Sequence, residues 1–139
     1  MSEQRFHAVR ELLEADPSIA AAIVYGSGAR GQLRADSDLD VAVLRTREPA
    51  DSGAPSMLDE LGALGNAAGR DVHLTHLESA DCALRRSIFA HGVTLFDRSN
   101  GALKQLERTT SVEYVDWEYA RRLNEAGQRR QLEQARGRP

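Results

Sequence analysis

The chain has 139 residues and a mass of 15.3 kDa, which is the size of one ordinary domain. Its net charge of −3 argues against a protein that coats nucleic acid through a basic surface. No run approaches the roughly 18 apolar residues of a membrane span, no signal-peptide pattern is present, and the single cysteine, Cys82, excludes an internal disulfide. We therefore expect a cytoplasmic protein that binds neither membranes nor nucleic acid directly.

The first third of the chain predicts a helix and two strands around a glycine-rich turn. Apolar residues recur at helical spacing over residues 4–15, and a proline two residues later ends that helix. Residues 19–25 are a short apolar run of the kind that forms a buried strand. The glycine-rich turn covers residues 26–31, and residues 39–44 are the second predicted strand.

The middle of the chain predicts a loop, a helix and a strand. Residues 45–55 contain two prolines, a glycine and several charges, which is typical of a surface loop. The helix that follows is predicted to be capped by Ser56 and to end at Gly69. Residues 71–75 alternate polar and apolar side chains, which indicates a strand.

The last part predicts two helices separated by a strand. A helix capped by Ser79 should end at Gly92, where a C-terminal glycine belongs, before a strand over residues 93–96. Thr110 and the glutamate three residues later form a capping-box pair that predicts the start of the last helix. The arginine-rich tail, residues 121–138, is expected to be a solvated helix end. The element order indicates an α/β (α+β) domain with helices packed on a small sheet.

The glycine-rich turn matches a dinucleotide-binding pattern that its surroundings exclude. Gly26, Gly28 and Gly31 have the G-x-G-x-x-G spacing. That pattern needs a crossover helix before the next strand, and only seven residues separate Gly31 from Leu39. A Walker A loop is excluded as well, because no Gly-Lys-Ser/Thr sequence follows.

Three aspartates indicate a metal site. Asp38 and Asp40 are two residues apart at the start of a predicted strand, so their side chains lie on the same face. Ionised carboxylates at close range repel, and a hard cation such as Mg²⁺ removes the repulsion while binding substrate phosphates. Asp71, at the head of the next predicted strand, could complete a three-carboxylate cluster of the kind used in two-metal phosphoryl transfer.

The turn itself is a candidate phosphate site. Its backbone N–H groups and the hydroxyl of Ser27 can bind an anion, and the glycine at position 26 lets a phosphate approach the backbone. Arg30 is either a further charged donor or a solvated helix residue. Ser37 is either a substrate contact or a local turn former. Together the turn and the aspartates predict a nucleotide–metal site.

Gly26-Ser27, followed after ten residues by Asp38-x-Asp40, resembles the signature of the DNA-polymerase-β-like nucleotidyltransferase superfamily. The longer string over residues 26–40 resembles its minimal nucleotidyltransferase (MNT) branch, whose members are often antitoxins paired with a HEPN-domain toxin. The resemblance implies a small mixed β-sheet flanked by helices. It also implies a nucleotidyltransferase domain over residues 1–100 and a C-terminal helical extension over residues 101–139.

The same resemblance implies a role for each candidate residue. Ser27 would hold the triphosphate of ATP, with Gly26 allowing its close approach. Asp38 and Asp40 would bind two Mg²⁺ ions, and Asp71 would bind the ion that activates an acceptor hydroxyl. That hydroxyl would attack the α-phosphate and expel pyrophosphate. In the antitoxin branch the acceptor is a tyrosine of the HEPN toxin, an RNase that AMP transfer silences.

Other readings of the sequence stay open. The chain could be an antitoxin that neutralises its toxin by binding alone, or a nucleotidyltransferase acting on a small molecule such as an aminoglycoside. Residues 100–139 leave little room for the acceptor domain that the latter usually needs. His73 has the strand parity of Asp71 and either lines the cleft or packs in the fold. Trp117 and Tyr119 either dock the last helix or form a partner surface.

Overall fold

The structure is a computed structural model that describes residues 3–29, 31, 37–46 and 57–137. In chain order its elements are α1 (Glu3–Ala15), β1 (Ile19–Tyr25), β2 (Leu39–Arg45), α2 (Met57–Ala68), β3 (Val72–His76), α3 (Cys82–His91), β4 (Val93–Asp97) and α4 (Ala102–Arg136). A single 3-10 turn, Leu77–Ser79, precedes α3. None of the described helices combines the length and the apolar character needed to cross a membrane.

The four strands form one mixed sheet in the order β3-β2-β1-β4. Strand β1 is antiparallel to both of its neighbours, β2 and β4. Strands β2 and β3 are parallel, and α2 lies in the crossover that a parallel pair requires. The predicted class, a small mixed sheet flanked by helices, is confirmed.

Both faces of the sheet are covered, so it separates two hydrophobic cores. Val24 and Val41 point to one face and pack with α1 and α2. Ile23 and Ala42 point to the other face and pack with α3, α4 and Leu77. Strand β1 is therefore apolar up to Tyr25, and β2 is apolar over residues 41–44, as expected for strands buried on both sides.

Most of the predicted boundaries agree with the structure. The strand predicted over residues 19–25 coincides with β1, and the other three strands differ from the prediction by one residue at one or both ends. Helix α2 ends immediately before Gly69, whose φ of +69° is left-handed. The guanidinium of Arg5 donates to the carbonyl of Ala68 at 3.0 Å and so caps that helix end. The predicted cap at Ser56 lies outside the described residues.

Of the two predicted ends of α3, the N-cap at Ser79 is wrong and the end at Gly92 is confirmed. The helix is capped by Asp81, whose carboxylate accepts a hydrogen bond of 2.8 Å from the N–H of Leu84. Ser79 belongs to the 3-10 turn instead. Gly92 has a φ of −74°, so it is not a left-handed cap. A glycine is needed there because a Cβ would lie 2.5 Å from the Cγ2 of Ile23, which places the end of α3 directly on β1.

The predicted start of the last helix at Thr110 is also wrong. Helix α4 begins eight residues earlier, at Ala102, and Thr110 is buried inside it. The hydroxyl of Thr110 donates to the carbonyl of Leu106 at 2.7 Å rather than capping the helix. Leu103 and Leu106 pack on the second core, and this tertiary contact extends the helix beyond the apparent capping box.

A buried ionic cluster lies at the end of β2 that is remote from Asp40. Arg45 donates to Asp16 at 3.0 Å and to Glu60 at 2.8 Å, and all three side chains are at most 10% exposed. Burial by itself raises the pKa of Asp16. Hydrogen bonds from the hydroxyl and the N–H of Ser18, together with Arg45, lower this pKa by more than burial raises it. The pKa of Asp16 therefore lies below its ordinary value of 3.8.

Candidate functional site

Three chain segments meet at one edge of the sheet. Strand β1 runs into this edge and ends at Tyr25, whereas β2 and β3 both start there. In the ladder Tyr25 pairs with Asp40, and Asp40 pairs with His73. Residues paired across strands point to the same face, so these three side chains share the face covered by α3 and α4. The glycine-rich turn and the start of β2, separate in sequence, are thus adjacent in space.

At this edge the backbone of Gly26 packs against the side chain of Asp40. Gly26 follows β1 with a φ of +69°, a conformation that residues with a Cβ rarely adopt. A Cβ placed on Gly26 would lie 2.8 Å from the Oδ2 atom of Asp40. The turn therefore needs glycine for two reasons, its backbone conformation and the carboxylate packed against it.

The carboxylate of Asp40 also contacts His73. Its Oδ1 atom lies 3.4 Å from Nδ1 of His73, and the two side chains are 32% and 66% exposed. Of the two interpretations that the sequence left open for His73, the structure favours the cleft, because the imidazole is exposed on the site face rather than packed in a core.

Asp38 and Asp71 precede the two parallel strands. The N–H of Leu39 donates to the carbonyl of Asp71 at 2.8 Å, which holds the two chain segments together at this point. Both aspartates are exposed. The neighbouring Arg70 donates to the carbonyl of Ser37 at 3.2 Å, so it ties the residue before Asp38 to the start of β3.

The aspartates are adjacent but do not form a ready-made metal cluster. Within the described ranges, no three His, Cys, Asp or Glu side chains are close enough together to hold a metal ion. The backbone pairing nevertheless places Asp38, Asp40 and Asp71 at neighbouring strand starts, where rotation of the two exposed side chains, Asp38 and Asp71, can redirect their oxygens. Carboxylate oxygens are the ligands that Mg²⁺ prefers, so this donor set fits a hard divalent cation after side-chain rotation.

The predicted phosphate-binding residues are only partly described. Ser27 and Gly28 are half-buried in the turn after Gly26, and the N–H of Gly31 donates to the carbonyl of Gly28 at 3.3 Å. Arg30 lies outside the described residues.

Sequence reasoning missed two features of this edge. The hydroxyls of Tyr25 and Thr75 share a hydrogen bond of 2.7 Å that crosses the site face of β2. Arg70 is the other omission, because its carbonyl contact depends on strand pairing. The alternation of polar and apolar residues over β3 could have identified Thr75, whereas no local sequence pattern identifies Arg70.

A family model described as polymerase beta, nucleotidyltransferase, matches residues 7–101 of the chain. No curated protein matches the chain. Several solved structures contain a similar chain. One, from a toxin–antitoxin crystal structure with AMP-PNP, is 21% identical with a TM-score of 0.72, and the match covers 88% of this chain and 96% of that one.

Two further matches have similar values. A chain of the toxin–antitoxin MntA-HepT structure is 19% identical with a TM-score of 0.68, and the match covers 91% of this chain and 97% of that one. A chain from a tri-AMPylated Shewanella oneidensis HEPN toxin in complex with MNT antitoxin is 19% identical with a TM-score of 0.69, over 91% and 98% of the two chains. At these identities the likeness establishes the fold alone.

Proposed function

The chain belongs to the polymerase β nucleotidyltransferase family, and from that premise we propose that it is an antitoxin which transfers AMP from ATP to a tyrosine hydroxyl of a HEPN-domain RNase toxin. The observation that carries the proposal is the packing of the Asp40 carboxylate against the left-handed Gly26, which joins a phosphate-binding turn to an acidic strand start. The similarity in fold to chains of toxin–antitoxin complexes, one of them with an AMPylated HEPN toxin, supports it.

The nucleotide binds on the turn side of this edge. The backbone amides after Gly26 and the hydroxyl of Ser27 hold the triphosphate, because successive N–H groups in such a turn form a site for anions. Arg30 and Ser37 belong to the same phosphate site. The link from Arg70 to Ser37 supports this role, since it fixes the segment that leads into Asp38.

Asp38, Asp40 and Asp71 would hold two Mg²⁺ ions. These ions would neutralise the phosphate charge and activate the acceptor hydroxyl. The tyrosine hydroxyl of the toxin loses its proton to solvent, and its oxygen attacks the α-phosphorus of ATP and forms the new O–P bond. The bond from that phosphorus to the bridging oxygen breaks, and pyrophosphate leaves in line. The residues of the chain contribute positioning and charge rather than covalent chemistry.

The acceptor approaches from the side of Asp71. This residue lines an open groove of about 530 Å³ together with Arg70 and two glycines of α2, Gly62 and Gly65. The small residues leave the groove wide enough for a protruding aromatic side chain. We place the reaction in the cytoplasm, where both ATP and the RNA cut by an RNase toxin occur.

The decisive experiment is label transfer from α-³²P-ATP to the co-purified toxin in the presence of Mg²⁺. We expect label on a toxin tyrosine and, in the Asp40→Asn variant, a rate lower by at least about a hundredfold, because one charged ligand is lost without a change of shape. Glu107→Gln is the matched control, since this exposed carboxylate lines a groove between α4 and α3 with Arg86 and Phe89 and not with the strand starts.

Two outcomes would contradict the proposal. The absence of Mg²⁺-dependent label on the toxin would exclude AMP transfer to it. Full neutralisation of the toxin by an Asp38→Ala/Asp40→Ala variant that transfers no AMP would show that binding alone is sufficient.

A further inference from the structure

Helix α4 has apolar residues on two opposite sides. Its inner side packs on the domain through residues spaced at three and four positions, namely Leu103, Leu106, Thr110 and Tyr114. Its outer side carries a second set at the same spacing. This outer stripe consists of Val112, Val115, Tyr119 and Leu123, which are 67%, 65%, 66% and 56% exposed. At 100° per residue the two sets lie about 180° apart on the helix.

The second half of α4 extends away from the domain. The last described contacts with the domain are made near Tyr114, whose ring lies 4.7 Å from the guanidinium of Arg86 on α3. Every residue from 119 to 137 is exposed. An isolated helix of this length is marginally stable in water, and Gly127 in its interior costs about 1 kcal/mol relative to alanine. An unsupported apolar stripe on such an arm suggests that another helix covers it.

The charges along α4 indicate which helix covers the outer stripe. The segment 111–119 carries three carboxylates and no cation, a net charge of −3, namely Glu113, Asp116 and Glu118. The segment 120–136 carries five arginines against two glutamates, a net charge of +3. One helix therefore has an acidic half followed by a basic half, and the outer stripe passes through both.

We propose that two copies of this chain pair through the outer stripe of α4 as antiparallel helices. In that arrangement Tyr119 of each copy lies opposite Leu123 of the other, and the valines of the stripe face Ala126 and the methylene groups of Arg130. The acidic half of each helix then lies along the basic half of the other. A parallel arrangement would instead place like charges side by side, which is unfavourable.

The ion pairs within α4 leave the required charges available. Arg121 binds Glu118 and Glu125 on the side of the helix that faces away from the outer stripe. By contrast, Asp116 lies beside the stripe and Arg130 lies on it, and neither forms an ion pair with another residue in the ranges that the structure describes. These two residues are therefore placed to pair between copies.

The test is the concentration dependence of the molar mass of the full chain, measured by analytical ultracentrifugation without nucleotide or toxin. We expect a dimer whose dissociation constant rises at least about tenfold in Val115→Glu, because a charge replaces a central apolar contact. Leu132→Glu is the matched control, since Leu132 is equally exposed on α4, at 66%, but lies off the stripe. That variant should dimerise as the native chain does.

A charge exchange tests the direction of the helices. Asp116→Arg and Arg130→Asp should each weaken the dimer, and the double variant should restore it, because each residue lies one helical turn from the opposite charge of the second copy, within reach of the long arginine side chain. A monomer at all concentrations would overturn the proposal. A monomer that needs the outer stripe to bind its toxin would also overturn the proposal, because the stripe would then be a toxin-binding surface. The measurement involves no AMP transfer, so its failure is distinct from failure of the proposed enzyme activity.

Discussion

At the scale of single residues, the candidate site depends on the contact between Gly26 and Asp40. We predict that Gly26→Ala lowers both stability and AMP transfer, because the left-handed backbone is strained by about 1–2 kcal/mol and the new Cβ displaces the carboxylate. The thermal unfolding midpoint and label transfer measure the two effects separately.

Gly101→Ala is the control that separates strain from displacement. Gly101 also has a left-handed φ, +97°, but a Cβ there meets no atom within 4 Å among the described residues. This variant should lose stability in a similar way and keep its rate of AMP transfer. Equal losses of transfer in both variants would show that the contact with Asp40 has no specific role.

The sequence alone points to Gly26, Asp38 and Asp40, because their spacing in the chain is fixed and local. Their roles in the site stay predictions. The contact between Asp40 and His73 depends on the parallel pairing of β2 with β3, which brings together residues that are far apart in sequence. The same reason explains why Arg70 was missed.

At the scale of elements, the Asp16–Arg45–Glu60 cluster joins the turn after α1 to strand β2 and helix α2. Because the pKa of Asp16 is lowered in the folded state, its stabilising contribution is complete above the unfolded value of about 3.8 and is lost as the pH falls through the folded pKa. Acid should therefore weaken this end of the sheet.

We predict that Asp16→Asn destabilises the protein at pH 7 by about 1.5–3 kcal/mol, the range for a hydrogen bond to a charged group. The difference from the native chain should shrink as the pH falls from about 3.8 through the lower pKa of folded Asp16, where the carboxyl itself becomes neutral. Urea unfolding at several pH values measures it. Glu11→Gln, a change at an exposed carboxylate on α1, should show no comparable loss at pH 7. A difference that stays constant into acid would contradict the assignment.

The boundaries of elements were predictable where local chemistry sets them and not where packing does. Strand β1 was predicted in full because an apolar run between a proline and a glycine leaves little choice. Helix α4 was placed too late because the capping-box pair at Thr110 and Glu113 is a strong local signal. The burial of Leu103 and Leu106 against the second core outweighs that signal, and only the fold reveals it.

At the scale of the whole molecule, the sheet keeps three features apart. The candidate site lies at the edge where β2 and β3 begin, and the ionic cluster lies at the other end of β2. Helix α4 crosses from the second core into solvent. Its first half thus belongs to the domain, whereas its second half is free to act between molecules.

This division predicts different results for two deletions. Residues 119–137, the described part of the segment 119–139, are all exposed, so after removal of this segment the unfolding midpoint of the monomer and its AMP transfer should stay close to those of the native chain. Removing residues 101–139 also takes away Leu103 and Thr110, which are 7% and 1% exposed, and uncovers the second core beside Ile88 of α3. That deletion should cost several kcal/mol, since burying one large apolar side chain is worth about 2 kcal/mol.

Thermal unfolding in dilute solution compares the two deletions. Equal stability after both deletions would mean that α4 is an appendage throughout, and a large loss after the shorter one would mean that the outer half supports the domain.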